Sequence, residues 1–186
     1  MLTLIVFVPL IGSLLVLLAG GRGDRPDREP LVRWLSLGVS LVTFALTLLL
    51  WWRFDPSSAD YQFVEQRAWI PQFGIQYYVG VDGISLFLIV LTGFLTPLAL
   101  LSSWESVHKG IALFSFFMLA LETAMLGVFV SIDLFRFYIF WDAMLIPMYF
   151  LIGVWGYERR IYAAIKFILY TMARMATSIS SEPAKV

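Results

Sequence analysis

The sequence predicts an all-α fold: a polytopic transmembrane helix bundle with five clear spans, an incomplete sixth and the N-terminus outside. Three observations carry this reading. Five apolar runs each reach the roughly 20 residues needed to cross hydrocarbon. The chain is 60% hydrophobic and only 14% charged, where a soluble domain carries about 25% charged residues. Its seven Trp, eight Tyr and sixteen Phe suit aromatic belts at membrane–water interfaces.

The elements follow in order. Leu2–Gly20 is the first run. It has no basic residue ahead of it and no A-x-A site, so it reads as a retained helix rather than a signal peptide. Leu31–Trp52 is the second, Gly83–Ser103 the third, Gly110–Val130 the fourth and Leu134–Trp155 the fifth. A sixth begins near Ile161, meets Arg174 and turns polar in SISSEPAKV. The last span is therefore weak, and the chain looks cut off in it. Linkers are short except Arg53–Asp82, an amphipathic loop rich in aromatics. Asp82, in VGVDGIS, is placed to cap the free N–H groups of the third helix.

Orientation follows from the Lys and Arg distribution. The first, third and fifth linkers carry Arg22, Arg25, Arg28, Lys109, Arg159 and Arg160, with Arg33 just inside the second span. The second linker carries only Arg53 and Arg67, and the fourth carries none. The odd linkers are thus expected to be cytoplasmic. The formal net charge is zero, which gives no reason to expect a nucleic-acid partner. With no cysteine and one histidine, His108, the chain lacks ligands for thiolate zinc, iron–sulfur or bis-histidine haem sites. Nor does it contain a Walker loop, a G-x-G-x-x-G turn or a nucleophile elbow.

Charges within spans need a reason, because one near the bilayer centre costs about 2.5–3.5 kcal/mol. Glu122, Asp142 and Lys166 are such charges. At a rise of 1.5 Å per residue, Glu122 lies roughly 18 Å and Asp142 roughly 20 Å from the cytoplasmic side, with Lys166 about 8 Å in. Two acids at like depth with a base nearby make a candidate proton relay. Each acid could instead pair with a neighbouring helix and hold the bundle, and Lys166 could snorkel to the interface. Pro147 has no N–H to offer the carbonyl of Ala143, next to Asp142, and such a break is tolerated where water or a neighbour satisfies the backbone. Arg136 is expected to pair with Asp133 at the outer surface.

Three stretches carry a resemblance to a known family. They are WIPQFGIQYYVGVDGISLFLIVLTGFLTPLALL, LGVFVSIDLFRFYIFWDAMLIPMYFLIGVWG and AAIKFILYTMA. The chain resembles the N-terminal portion of the antiporter-like membrane subunits of NADH-quinone oxidoreductase, respiratory complex I (subunit M, the chain 4 family). The resemblance implies a membrane-arm subunit with inverted five-helix repeats that moves protons while electrons pass from NADH to quinone elsewhere. It implies no cofactor in this chain, with FMN and iron–sulfur clusters in partner subunits. It further implies the lipid bilayer and other membrane-arm subunits as partners, and the bacterial inner membrane as location. Asp142 stands where the family carries a fifth-helix Glu that pairs with a lysine two helices on, and Glu122 stands at a helix-four acid. The departures are the shorter Asp142, Arg136 in a usually apolar place, and loss of the resemblance after Ala173, which divides an antiporter-like membrane domain over 1–173 from a divergent tail over 174–186 that reads as truncated or frameshifted. Two other readings stand beside this one: a subunit of a multi-subunit cation/proton antiporter, and a nonfunctional truncated remnant.

Overall fold

The computed structural model describes residues 1–21, 26–58, 60–70 and 75–180. Six α-helices and one β-hairpin follow one another: α1 (Leu2–Gly20), α2 (Glu29–Arg53), β1 (Gln62–Ile70), β2 (Ile75–Val81), α3 (Gly83–Ser102), α4 (Ile111–Val130), α5 (Leu134–Trp155) and α6 (Arg160–Ser180). A short 3₁₀ turn, Pro26–Arg28, leads into α2. Among the described residues, α1 to α5 are long and apolar enough to cross a membrane, and their bounds fall within a few residues of those expected. α6 is not in that set. It runs through Ser180, so the polar turn at Arg174 is not a helix end. Arg22, Arg25 and the tail beyond Ser180 lie outside the described residues.

Every backbone group at hydrocarbon depth must be satisfied internally, which makes each span a helix and puts a premium on its ends. Asp82 caps α3, its Oδ1 accepting from Ser85 N at 2.7 Å, and this backbone bond holds its carboxyl below the usual range. Asp133 does the same for α5, accepting from Phe135 N at 3.1 Å. At α1 the cap comes from a distance. Glu65, on β1, accepts from Leu2 N at 3.1 Å, from the Thr3 hydroxyl and from the amine of Met1.

That cap depends on a hairpin, formed where the sequence predicts an amphipathic loop. β1 and β2 pair antiparallel, Gln62 opposite Val81 and Ile70 opposite Ile75. Irregularities occur between Gln62 and Glu65 and between Ala68 and Ile70. Phe63, in the first of these, has φ 54°. Val79 and Val81 turn into the bundle and join Leu2, Ile5, Leu50, Ile89, Leu126 and Val130 in one buried cluster. Val79 also bridges to Ser131, in the α4–α5 turn. The hairpin thus closes one end of the bundle.

α4 is the central helix, packed against α1, α2, α3 and α5. Its register with α5 is set by side-chain fit. Phe117 stacks on Phe150 with ring centroids 4.8 Å apart, Phe114 meets Trp155 edge-on at 5.4 Å, and the Trp155 indole donates to Lys109 O at 2.9 Å. At the hairpin end the Phe140 ring lies so close to Gly127 that a Cβ there would stand 2.3 Å from it. Small residues at such crossings let backbones approach within a bilayer, where dispersion rather than water exclusion drives packing.

Two predictions follow from these contacts. Partial burial works against the charge on Glu65, but its bonds to the N-terminal amine and Thr3 outweigh it and hold the carboxyl below its ordinary 4.5. A depressed folded-state value means stabilisation that is full above the unfolded value and lost as pH falls through the folded one. In lipid nanodiscs, Glu65→Gln therefore melts below wild type at neutral pH by about 1 kcal/mol, the usual cost of a lost cap. The gap closes on acidification; a gap that persists in acid contradicts the cap. Gly127→Ala costs about 1–3 kcal/mol through overpacking against Phe140. Phe140→Ala in the same chain recovers part of it, and strict additivity of the two changes would contradict the contact.

Candidate functional site

Helical spacing puts Ser115, Leu119, Glu122 and Leu126 on one face of α4. That face points into the bundle, and all four residues are buried. Glu122 is 0% exposed. Neither of its carboxylate oxygens has a hydrogen-bond partner among the described residues. An ionised carboxylate in such surroundings needs donors, a counter-charge or water.

The register that sets Phe140 against Gly127 and Phe150 against Phe117 places Leu145, not Asp142, opposite Glu122. The two acids are offset by three residues, about 4.5 Å along the axis, so the expectation of like depth stands. Their facing differs. Asp142 is exposed on the outer side of α5 while Leu145 and Pro147 are buried. The structure therefore does not bring the two acids together. α5 continues unbroken through Pro147, whose missing N–H leaves the Ala143 carbonyl without its helical donor, beside Asp142. Pro9 in α1 and Pro97 in α3 are buried within spans in the same way. The sequence reading weighed only Pro147.

Lys166 is also exposed, on α6. Its ammonium lies 5.5 Å from the ring centroids of both Tyr162 and Tyr170, one turn to either side. This is a cation–π position, and among the described residues Lys166 is not ion-paired with Asp142 or Glu122. Arg136 was expected at the outer surface. It is instead buried at 3% exposure, while the carboxyl of Asp133 is engaged as the α5 cap.

A row of hydroxyls was missed by the sequence reading. Ser36, Ser40, Thr43 and Thr47 line the buried face of α2, and Thr92 and Thr96 that of α3. Each of the six donates to a carbonyl of its own helix, at 2.8–3.1 Å, leaving its oxygen free to accept. Their three- and four-residue spacing was the available signal. Among the described residues, no three His, Cys, Asp or Glu gather as a metal site would need. What the arrangement offers is a buried acid on α4, a row of buried hydroxyls on α2 and α3, and a second acid facing outward.

Two family profiles match the chain. The profile for NADH-ubiquinone oxidoreductase chain 4, amino terminus, matches residues 31–130. That for the transmembrane region of NADH:quinone oxidoreductase/Mrp antiporter matches 131–177. The chain is 46% identical to NADH-quinone oxidoreductase subunit M of Rhodobacter capsulatus over 171 residues, 92% of this chain and 33% of that protein. It is 45% identical to NAD(P)H-quinone oxidoreductase chain 4-3 of Nostoc sp. over 174 residues, 92% of this chain and 30% of that one. It thus spans about a third of the length of the curated relatives it matches. Among solved structures, a chain of respiratory complex I from Thermus thermophilus with bound NADH superposes with TM-score 0.76 at 27% identity, over 93% of this chain and 33% of that one. A chain of the archaeal membrane-bound sulfane sulfur reductase shares the fold, with TM-score 0.67 at 16% identity, over 90% of this chain and 33% of that one. With more than half of its residues matched by one profile, the chain belongs to the NADH-ubiquinone oxidoreductase chain 4 family.

Proposed function

We propose that the chain serves in the membrane arm of a proton-pumping NADH:quinone oxidoreductase in the bacterial inner membrane. There it helps move protons as electrons pass from NADH to quinone. The observation that carries this is Glu122, wholly buried on the central helix with neither oxygen partnered among the described residues. A carboxyl so placed can take up, hold and release a proton, which is the use that intramembrane acids mostly serve. The names of the relatives point the same way. The flavin and iron–sulfur chemistry of the parent enzyme belongs in this reading to partner subunits, and the basic ends at Lys109, Arg159 and Arg160 face the cytoplasm.

Asp142 is the second proton-carrying group. An acid facing hydrocarbon costs about 2.5–3.5 kcal/mol, so the outer face of α5 is read as covered by protein in the assembled complex. The partner charge of Asp142 is then a base on that covering element. The Pro147 break beside it offers a carbonyl to a water. Lys166, held between Tyr162 and Tyr170, is the lysine nearest in sequence and the third candidate. The profile over 131–177 is shared with Mrp antiporters, which favours cation/proton antiport as the second reading.

The test is made in the assembled complex in sealed membrane vesicles. Asp142→Asn lowers NADH-driven proton uptake by about tenfold or more, within the range of a positioned acid–base group, and slows NADH oxidation with it. Glu122→Gln does less. Uptake unchanged by Asp142→Asn contradicts the proposal. Uptake that follows a sodium gradient without NADH favours the antiporter.

A further inference from the structure

At the end of the bundle opposite the hairpin, the structure holds a small cavity between α2, the α3–α4 linker and the start of α4. Arg33, Ser36, Ser103, Trp104 and Ser115 are among its walls. It leaves about 10 Å³ for the centre of a water molecule, which is room for one water. Arg33 forms its roof. The guanidinium donates to Trp104 O and, at 2.8 Å, to Val107 O, and lies 5.6 Å from the Trp104 ring centroid. Ser36 Oγ donates to Arg33 O at 2.9 Å, so its oxygen remains an acceptor for that water.

α1 runs antiparallel to both α2 and α4: Gly12 meets Val39 and Gly20 meets Val32 on α2, while Gly20 meets Ala112 on α4 and, at the other end, Leu2 and Ile5 cluster with Leu126 and Val130. α2 and α4 are therefore parallel. Ser36 on α2 and Ser115 on α4 line the same cavity. Seven residues on, about 10 Å along each helix, stand Thr43 and Glu122. Seven residues is close to two full turns, so each pair keeps to one face. Ser40 lies between Ser36 and Thr43 on α2 and is fully buried. Between Ser115 and Glu122 on α4 stands Leu119, also fully buried. It packs with Val16, Val32 and Ile111.

We propose that the cavity under Arg33 is the mouth of a proton path to Glu122, running between α2 and α4 past Ser115, Ser36, Ser40 and Thr43, with Leu119 as the dry plug that limits flow. The proposal deepens the proton-carrying reading of Glu122 and rests on it. A proton enters from water at the mouth and crosses by making and breaking O–H bonds along waters and hydroxyls. It ends on a carboxylate oxygen of Glu122, with no change of oxidation state. The hydroxyls supply both the acceptor and, by rotation, the donor that such a step needs. The plug sets where the path is broken, since an apolar side chain holds no water.

The test reads hydrogen–deuterium exchange at Glu122 by infrared spectroscopy, with the full chain in lipid nanodiscs. The carboxyl C=O band is identified by its loss in Glu122→Gln. Ser115→Val and Ser36→Val each slow its shift in D₂O by about tenfold or more, because a bridging water loses a partner. Leu119→Ala speeds it by a like factor, about tenfold, by letting water into the plug. Should Ser115→Val fail to fold, Ser36→Val and Leu119→Ala carry the same comparison with opposite signs. Exchange that ignores all three changes overturns the path. The measurement needs neither NADH nor quinone. A chain that exchanges as expected but pumps nothing in the complex would keep the path and lose the pump.

Discussion

A carboxyl group enclosed at the centre of an apolar bundle is the constraint to which the rest of this structure answers. In hydrocarbon an ionised Glu122 cannot rely on bulk water, and a hydrophobic residue of like size would pack there at lower cost. Among the described residues neither a hydroxyl nor a counter-charge bonds the acid, and the polar side chains on the buried faces of α2 and α3 are small hydroxyls. Ser40 and Thr43 on α2 and Thr96 on α3 are all buried, and the register that sets Gly93 against Thr47 puts Thr96 close to the level of Thr43. Such a surround can accept or donate, and it does not lock the acid in one protonation state. An arginine or lysine in contact would do so.

The ends of the bundle are held more rigidly than its middle. One end is closed by a hairpin whose Glu65 caps α1 and whose Val79 and Val81 complete the buried cluster. The other is tied by Arg33, which gathers the two carbonyls of the α3–α4 linker, and by the Trp155 bond to Lys109. Between these, small residues and hydroxyls line the α1–α2 and α2–α3 crossings. The charge-assisted bonds of Glu65 and Arg33 thus lie where water can compete, and neutral hydroxyl–carbonyl bonds where it cannot. That is the division expected if the middle has to change its hydration and the ends do not.

Much of this was legible in the sequence, and what was not has physical causes. Spans α1 to α5 announce themselves, because an unbroken apolar run of sufficient length has few alternatives in a membrane. Glu122 as a buried acid and Asp82 as a cap could likewise be read from position alone. The outward facing of Asp142 could not. α5 is apolar around its whole circumference, so no polar stripe fixes its rotation, and the contact of Phe140 with Gly127 sets it instead. The hairpin was hidden for a related reason. Its strands alternate imperfectly across two irregularities, and its inward valines find their partners on helices distant in sequence. Arg136 was misplaced because an arginine near a span end ordinarily reaches for the surface, whereas here the packing encloses it.

The central claim is that an acid so enclosed, with a second acid facing outward, belongs to a larger proton-moving assembly. The most direct measurement is to solubilise membranes gently, separate native complexes by size and probe for this chain. The account predicts that it travels with a large particle that oxidises NADH. Migration as a lone polypeptide would contradict it.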